Sequence, residues 1–190
     1  YDIVFATGVQ TVEVVINNFC DSKKMYFIQG YENWDVSEEY LHCTYNCGFK
    51  NIVVSSWLKE IVDMHSSIPS VLLKNPIDTK VYQFIKQQKF RRNHSIGLLY
   101  HTDEIKGVRY ALEAIYHLKE IYSDLTVEMF GMFMKPKGLP EWIHYKMSAS
   151  QAETVKIYNS VQVFLCATIE EGYGLTGLEA MACGACLVST

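Results

Sequence analysis

The stretch that decides the fold covers residues 161–190 and reads VQVFLCATIEEGYGLTGLEAMACGACLVST. Residues 161–167 form a short apolar run with β-branched and aromatic side chains, which predicts a buried strand. After a loop with two glycines, residues 176–183 are rich in helix formers and stop at Gly184, and residues 185–188 predict another strand. This is a βαβ unit, and its loop lies at the carboxyl end of a parallel strand, where open α/β sheets bind ligands.

The loop of this unit combines groups that bind phosphate with groups that bind sugar hydroxyls. Gly172 and Gly174 allow a tight turn and a close backbone approach, and a helix beginning near Leu175 offers free N–H groups and a positive dipole end. Glu171 and Glu179 flank this position. Their carboxylates would repel a lone phosphate, but they accept hydrogen bonds from sugar hydroxyls. The loop therefore predicts a nucleotide-sugar site.

Each acidic residue also has a simpler interpretation. Thr176-x-x-Glu179 matches a capping box, so both side chains could serve only to cap the helix. Glu171 could be a solvated loop acid. The complete string is more specific at this spacing than either residue alone, which favours the binding site.

The string Glu171-Gly-Tyr-Gly-Leu-Thr-Gly-Leu-Glu179, followed by Ala-Met-Ala-Cys-Gly, resembles the E-x7-E motif of family 4 (group 1) retaining glycosyltransferases of the GT-B fold. The resemblance implies that Glu171 lies beside the donor sugar and is catalytic, while Glu179 holds the nucleotide ribose. It also implies that the intervening backbone amides bind the diphosphate. The donor-binding residues that it implies in this loop are Gly172, Tyr173, Gly174, Leu175, Thr176 and Glu179.

A second loop resembles the phosphate-binding loop of the same family. Residues 95–100 (SIGLLY) predict a strand, and Lys106-Gly107 precedes a helix with Val108 and Ile115 on one apolar face. The resemblance implies that Lys106 neutralises the donor phosphates and is catalytic, with Gly107 also at the donor. A solvated lysine in a turn is the alternative.

His101 departs from the family pattern. The family usually has an arginine five residues before the lysine, as a second phosphate contact, and here that position is His101. An imidazole cannot replace a bidentate guanidinium. Either His101 makes a weaker contact with the donor, or Arg109 or an outside residue compensates, or donor binding is weak.

The resemblance also suggests where the nucleobase binds. Residues 125–131 predict a strand that ends in glycine, and residues 142–147 correspond to the short strand before the family's base-binding turn. This places Tyr145, Lys146 and Met147 beside the nucleobase, and core packing is the equal alternative.

The chain alternates strands and helices throughout, which predicts an α/β fold. We expect Rossmann-like parallel sheets with helices on both faces, of GT-B type and partial. Residues 1–68 are expected to be the end of an N-terminal acceptor-side domain, and residues 69–190 a truncated nucleotide-sugar-binding domain. The polar stretch 66–69 is the expected boundary. Both ends are expected to be cut from a longer protein, so the chain alone could be inactive.

The loop at residues 30–34 (GYENW), with its preceding strand, resembles a subgroup of polysaccharide-building enzymes that includes rhamnosyltransferases. Tyr31, Glu32 and Trp34 could line an acceptor cleft, because aromatic rings stack on sugar faces, but packing of the loop is the favoured interpretation.

Residues 81–90 are amphipathic and lead into a basic group, which normally marks a solvated surface. Its members are Lys89, Arg91 and Arg92.

Composition limits the other classes of function. The net charge of -4 argues against a broad surface for nucleic acid or an anionic membrane. No apolar run is long enough for a transmembrane helix, and no signal peptide is visible. The six cysteines predict free thiols in a reducing cytoplasm rather than a zinc site, although Cys43-x3-Cys47 and Cys183-x2-Cys186 invite that alternative. We expect no metal or other cofactor.

The resemblance implies that the protein transfers a sugar from a UDP-, GDP- or dTDP-linked donor to a hydroxyl of a glycan or lipid-linked acceptor. It implies retention at the anomeric carbon, in polysaccharide or glycoconjugate synthesis. The expected location is cytoplasmic, with peripheral membrane contact through the missing N-terminal half.

Two other classes are weighed against this function. A non-catalytic nucleotide-sugar-binding or scaffold protein of the same fold is the main alternative. A dinucleotide-dependent oxidoreductase would need G-x-G-x-x-G after the first strand, with an acidic residue about 20 positions further on, and no such motif follows the first strand.

Overall fold

A computed structural model of the chain describes residues 1–85 and 91–190, and these divide into two compact units. The first unit contains Tyr1–Pro76 and Glu171–Tyr173, and the second contains Ile77–Glu170 and Gly174–Thr190. The sequence predicts the boundary after residue 68. The division of the structure falls later, after Pro76, because Val71–Leu72 still pairs with a strand of the first sheet.

The first unit has one parallel sheet whose strands are adjacent in chain order. The strands are β1 (Ile3–Ala6), β2 (Lys23–Ile28), β3 (Lys50–Val53) and β4 (Val71–Leu72). The helices are α1 (Val9–Asn18), α2 (Glu38–Tyr45) and α3 (Ser56–His65). A single core joins sheet and helices, with Tyr26, Tyr45 and Leu58 fully buried.

A serine precedes two of the helices in this unit, but only one of the two forms a capping hydrogen bond within the described residues. Ser37 caps α2, because its hydroxyl accepts a hydrogen bond from the Tyr40 amide at 3.2 Å, and Glu38 and Glu39 favour the positive helix end. Ser55 is the N-cap residue of α3, but its buried hydroxyl makes no capping hydrogen bond within the described residues.

The second unit has a five-stranded parallel sheet in the order β7-β6-β5-β8-β9. The strands are β5 (Ser95–Tyr100), β6 (Thr126–Gly131), β7 (Ile143–Met147), β8 (Val163–Cys166) and β9 (Cys186–Ser189). The helices are α4 (Val108–Ile121), α5 (Gln151–Ser160) and α6 (Leu175–Ala182), and a short 3-10 turn covers Glu104–Lys106. The chain moves outward from β5 to β7 and then returns to the other side of β5, so the strand order reverses between β5 and β8.

Helices cover both faces of this sheet, as the sequence predicts. On β6, Met129 packs in one cluster with Ile115 of α4, while the neighbouring Phe130 packs in another cluster with Tyr158 of α5. Successive side chains of a strand point to opposite faces, so the two clusters lie on opposite sides of the sheet. The Rossmann-like α/β prediction is confirmed.

Arg91 corrects one prediction. It was expected on a solvated basic surface, but it is buried, at 4% exposure. Its guanidinium donates to the carbonyls of Tyr158 at 3.2 Å, Val161 at 2.5 Å and Cys183 at 2.5 Å, at the C-terminal ends of α5 and α6. Carbonyls at helix ends have no partner within the helix and carry partial negative charge, which explains why a cation is buried there.

The rest of this predicted surface is only partly described. Arg92 is exposed as expected. Lys89 lies outside the described residues, and so does the second half of the amphipathic segment 81–90.

Candidate functional site

The reversal of strand order in the second unit places two loops side by side at the carboxyl edge of the sheet. They follow β5 and β8, and the Ile169 amide donates to the Ile105 carbonyl at 2.7 Å. Gly107, with φ of 61°, also lies against Ala167, because a Cβ on Gly107 would lie 1.7 Å from the Ala167 carbonyl oxygen. The two loops therefore form one fixed edge where α/β sheets bind ligands.

The loop after β5 is held by its own side chains. Asp103 accepts from the Ile105 amide through Oδ1 at 3.1 Å, which caps the 3-10 turn. Lys106 ends this turn and is half-buried, and Gly107 then opens α4. The lysine thus stands next to the positive end of a helix, where two sources of positive charge favour an anion.

His101 lies in the same loop, and one of its ring nitrogens is already hydrogen-bonded within that loop. Its Nδ1 accepts from the Asp103 amide at 3.0 Å, so the proton of the neutral ring is on Nε2. The ring packs edge-on against Phe133, with centroids 4.8 Å apart. A cavity of about 420 Å³ opens beside it. Its lining includes Tyr100, His101, Asp103, Arg109, Tyr110 and Ile169 but not Lys106.

The start of α6 settles one of the alternatives for the glycine loop. Gly174 is the N-cap, with φ of 77°, and Leu175 is the first helical residue. Thr176 is therefore inside the helix, and no described side chain caps this end. The capping-box interpretation of Thr176 and Glu179 is wrong, and the backbone amides at the helix start remain for a ligand.

Glu179 has a partner that sequence reasoning missed. The Tyr158 hydroxyl donates to Glu179 Oε2 at 2.9 Å. Burial raises the pKa of Tyr158 well above its usual range, and the nearby Glu179 carboxylate raises it further. Tyr158 lies on α5 and has no motif of its own, so nothing in the sequence connects it to Glu179.

The model of the family described as "Glycosyl transferases group 1" matches residues 94–190. These residues contain both loops described above. The chain belongs to the group 1 glycosyl transferases. No curated protein sequence matches it. Its narrower assignment to family 4 and to a rhamnosyltransferase-like subgroup stays a prediction.

Solved structures of GT-B glycosyltransferases share the fold. TarM is 14% identical with a TM-score of 0.79, over 98% of this chain and 40% of TarM. Sucrose-phosphate synthase from Thermosynechococcus elongatus is 14% identical with a TM-score of 0.80, over 100% of this chain and 56% of the synthase. The pneumococcal O-GlcNAc transferase GtfA, solved with UDP and GlcNAc, is 17% identical with a TM-score of 0.73, over 98% of this chain and 41% of GtfA. This group 1 glycosyl transferase thus spans between two-fifths and just over half of these three chains.

The first part of the E-x7-E loop of this glycosyl transferase groups with the first unit. Tyr173 packs against the first core, and a Cβ on Gly172 would lie 1.9 Å from the Gln29 carbonyl oxygen. Glu171 is exposed. The second unit therefore holds Lys106 and Gly174 to Glu179, while Glu171, Gly172 and Tyr173 belong to the first unit.

Two of the three residues predicted beside the nucleobase already have partners within the protein. The Tyr145 hydroxyl donates to the Phe133 carbonyl at 2.5 Å, and Lys146 pairs with Glu153 at 2.7 Å. Hydrogen bonds from Lys146 and from Ser150 lower the pKa of Glu153 to about 2. Met147 ends β7 and is 51% exposed, so its side chain is accessible to a ligand.

The sequence Ser150-Gln-Ala-Glu153 has the spacing of a capping box, and the two residues form one at the start of α5. The Ser150 amide donates to Glu153 Oε2 at 2.9 Å, and the Glu153 amide donates to the Ser150 hydroxyl at 3.4 Å.

The loop at residues 30–34 of the first unit is mostly structural. Glu32 accepts from the Val9 amide at 2.6 Å at the start of α1, and the Tyr31 hydroxyl is 2.9 Å from His42 Nε2. Trp34 is 62% exposed. Packing therefore explains Tyr31 and Glu32 but not Trp34.

Within residues 1–85 and 91–190, no three His, Cys, Asp or Glu side chains are grouped to hold a metal ion. The six cysteines are free thiols, and Cys183 is buried. No helix of the described chain combines the length and the apolar character needed to cross a membrane.

Proposed function

We propose that this chain is part of a retaining glycosyltransferase that moves a sugar from a nucleotide-sugar to a hydroxyl acceptor. The second unit is the donor-binding domain in this proposal, and the first unit is the end of the acceptor-side domain. The observation that supports it best is the joining of the Lys106 loop to the loop after β8, at the reversal of strand order. A phosphate-binding lysine, open helix amides and a ribose-binding carboxylate then belong to one unit.

The donor diphosphate would bind the positive groups of this edge. Lys106 supplies a full charge, and the amides at Gly174, Leu175 and Thr176 supply oriented N–H donors. As the bond between sugar and diphosphate breaks, negative charge grows on the diphosphate, and groups fixed in advance stabilise it most effectively. Because these residues provide the positive charge, we propose that no metal or other cofactor takes part.

The two glutamates would bind the hydroxyl groups of the donor. Glu179 accepts hydrogen bonds from the ribose, and Glu171 orients the transferred sugar for attack by the acceptor hydroxyl. Met147 would border the base, and His101 and Gly107 would complete the phosphate site. A UDP-, GDP- or dTDP-linked donor fits this arrangement, because these residues bind the diphosphate and the sugar rings that all three donors contain.

The acceptor and the location follow from the family resemblance. We propose a glycan or lipid-linked acceptor in polysaccharide or glycoconjugate synthesis. The protein would work in the cytoplasm, at the inner face of a membrane.

Calorimetric titration of the chain with UDP, GDP and dTDP tests the donor site. We expect one nucleotide to bind saturably and Glu179→Ala to weaken its binding roughly tenfold, because hydrogen bonds from the ribose to a charged group are lost. Glu120→Ala removes an exposed carboxylate of α4 and should leave the affinity unchanged. Absence of binding by any of the three up to several millimolar would overturn the proposal.

A non-catalytic nucleotide-sugar-binding protein is the second candidate. His101 favours this candidate, because the histidine stands where the family has a phosphate-binding arginine. Its Nδ1 also accepts a hydrogen bond from the Asp103 amide of its own loop and is not available to a phosphate. Saturable nucleotide binding without sugar transfer to any acceptor would support this candidate, whereas measured transfer would exclude it.

A further inference from the structure

A buried tyrosine fixes the carboxylate proposed to bind the ribose. Tyr158 is 0% exposed, and its hydroxyl donates to Glu179 Oε2 at 2.9 Å. Glu179 itself is half-buried on α6. Tyr82 also forms a side-chain hydrogen bond with this carboxylate. A carboxylate has about four acceptor positions, so those that the two tyrosines leave open can accept hydrogen bonds from a ligand.

The tyrosine ring is itself held in place. It packs edge-on against Phe164, with centroids 5.1 Å apart, and against Phe130 at 5.7 Å. Both neighbours belong to the buried core of this face of the sheet. A ring enclosed by edge-on aromatic contacts keeps one orientation, so its hydroxyl is a fixed donor.

The two helices that carry this pair are also joined through their backbones. Arg91 donates to the carbonyl of Tyr158 on α5 and to the carbonyl of Cys183, the C-cap of α6. The distance between Tyr158 and Glu179 is therefore set at the helix ends as well as at the side chains.

A preceding segment brings a second tyrosine to the same place. Asn159 of α5 donates to the Gln83 carbonyl at 3.1 Å and accepts from the Ile85 amide at 2.9 Å, which holds this segment on the helix. Burial raises the pKa of Tyr82, and the Glu179 carboxylate raises it further, although a hydrogen bond with Gln151 lowers it. The ring of Tyr82 lies 6.3 Å from that of Tyr158.

We infer that Tyr158 is a positioning residue, which holds the Glu179 carboxylate so that its remaining acceptors meet the ribose hydroxyls of the nucleotide. The inference rests on the proposed function. A flexible glutamate would have to be ordered each time a nucleotide binds, whereas a glutamate held by a fixed hydroxyl is ordered in advance.

The test must separate this role from a purely structural one. A bond that only ties α5 to α6 would affect all ligands of the site equally. A positioning bond affects a nucleotide only through its ribose hydroxyls, because these are the groups that meet Glu179. A 2′,3′-dideoxynucleotide, which lacks both hydroxyls, therefore distinguishes the two roles.

Tyr158→Phe keeps the packed ring and removes only the hydroxyl. We would titrate wild type, Tyr158→Phe, Glu179→Ala and the double variant with the nucleoside diphosphate of the panel that binds wild type best, and with its dideoxy analogue. We expect Tyr158→Phe to weaken the first ligand roughly fivefold and to leave the affinity for the analogue unchanged. In the Glu179→Ala background the same change should have no effect.

Tyr116→Phe serves as the matched control, because it removes a hydroxyl from a half-exposed tyrosine of α4. Thermal unfolding of each variant shows that it is folded under the conditions of the titration. The double variant is a second measurement, since the hydroxyl there has already lost its partner.

The outcomes separate the inference from the proposed function. Equal weakening of both ligands by Tyr158→Phe, no weakening of either, or a persisting effect in Glu179→Ala would overturn the inference alone. Failure of wild type to bind any nucleotide would overturn the proposed function and the inference with it.

Discussion

In the proposed donor site, a single histidine is expected to limit how strongly phosphate binds. His101 uses Nδ1 to accept from the Asp103 amide, which leaves one N–H of the neutral ring for a ligand. An arginine at this position would offer five N–H donors and a permanent charge. If the loop binds the donor phosphates as proposed, His101 at its start is the residue that contributes least charge.

His101→Arg is expected to tighten binding of the preferred nucleoside diphosphate roughly tenfold, because a charge-assisted bidentate contact replaces one neutral donor. Calorimetric titration measures the change. His117→Arg on α4 adds the same group at an exposed site and should leave the affinity nearly unchanged. An equal gain from both variants would assign the effect to net charge, and no gain at position 101 would show that this residue does not face the phosphates.

The contacts of two residues, Arg91 and Tyr158, could not be predicted from the sequence. Arg91 stands next to Arg92, and such groups are normally solvated, so its burial depends on carbonyls that only the folded helices bring together. Tyr158 meets Glu179 across a separation of 21 residues. The spacing of Glu171 and Glu179 forms a motif, and for that reason the sequence predicts a role for both. Residues that support them from another helix form none.

Among the elements, the loops after β5 and β8 depend on one close approach. Gly107 has φ of 61°, and its α-carbon leaves no space for a methyl group next to the Ala167 carbonyl. Gly138 has φ of 79°, and no atom of the described residues lies within 4 Å of its Cβ position. A side chain at either position would strain the backbone, but only at Gly107 would it also collide with a neighbouring described residue.

Gly107→Ala is expected to destabilise the second unit more than Gly138→Ala. The strain of a left-handed alanine should cost about 1 kcal/mol at each site. Overpacking should add about 1–3 kcal/mol at Gly107 alone. Urea unfolding measures both variants. Gly107→Ala should also weaken nucleotide binding, because the Lys106 loop moves. Equal destabilisation of the two variants would mean that the loops separate easily.

Most elements were predictable because apolar runs and helix formers alternate regularly along the chain. The errors occur at element ends. Residues 161–167 were expected to form one strand, but Val161 ends α5 and the strand is Val163–Cys166. The start of α6 near Leu175 agrees with the prediction, whereas the alternative in which Thr176 caps the helix is wrong, because a left-handed glycine is the N-cap. Local patterns predict which element forms, while its ends depend on neighbouring contacts.

At the scale of the whole molecule, acid should act on the first unit through Asp63. Its carboxylate pairs with Lys59 at 2.6 Å and accepts from the amide and hydroxyl of Ser70, which ties α3 to the segment before β4. Burial alone would raise the pKa of Asp63, but the hydrogen bonds from Lys59 and Ser70 lower it from 3.8 to about 2. A lowered pKa means that this stabilisation is complete above pH 4 and is lost as the pH falls from there to 2.

Asp63→Asn is expected to lower the free energy of unfolding by about 1 kcal/mol at pH 7, a value reduced for the screening of a partly exposed pair. The variant should also lose less stability than wild type between pH 4 and pH 2. Amide hydrogen exchange in residues 1–76 measures both effects, and Asp21→Asn, an exposed carboxylate of the same unit, is the control. A wild-type acid response in Asp63→Asn would contradict this assignment.

The burial of Arg91 has a consequence for how the protein is made. Its carbonyl partners are 67, 70 and 92 residues further along the chain. A ribosome that adds roughly 5–20 residues per second needs about 5–20 s to pass from Arg91 to Cys183. Throughout that interval the guanidinium stays hydrated and the core beneath α5 and α6 stays open. The nascent second unit therefore exposes part of its core until α6 has been synthesised, and exposed apolar surface of this kind is what chaperones bind.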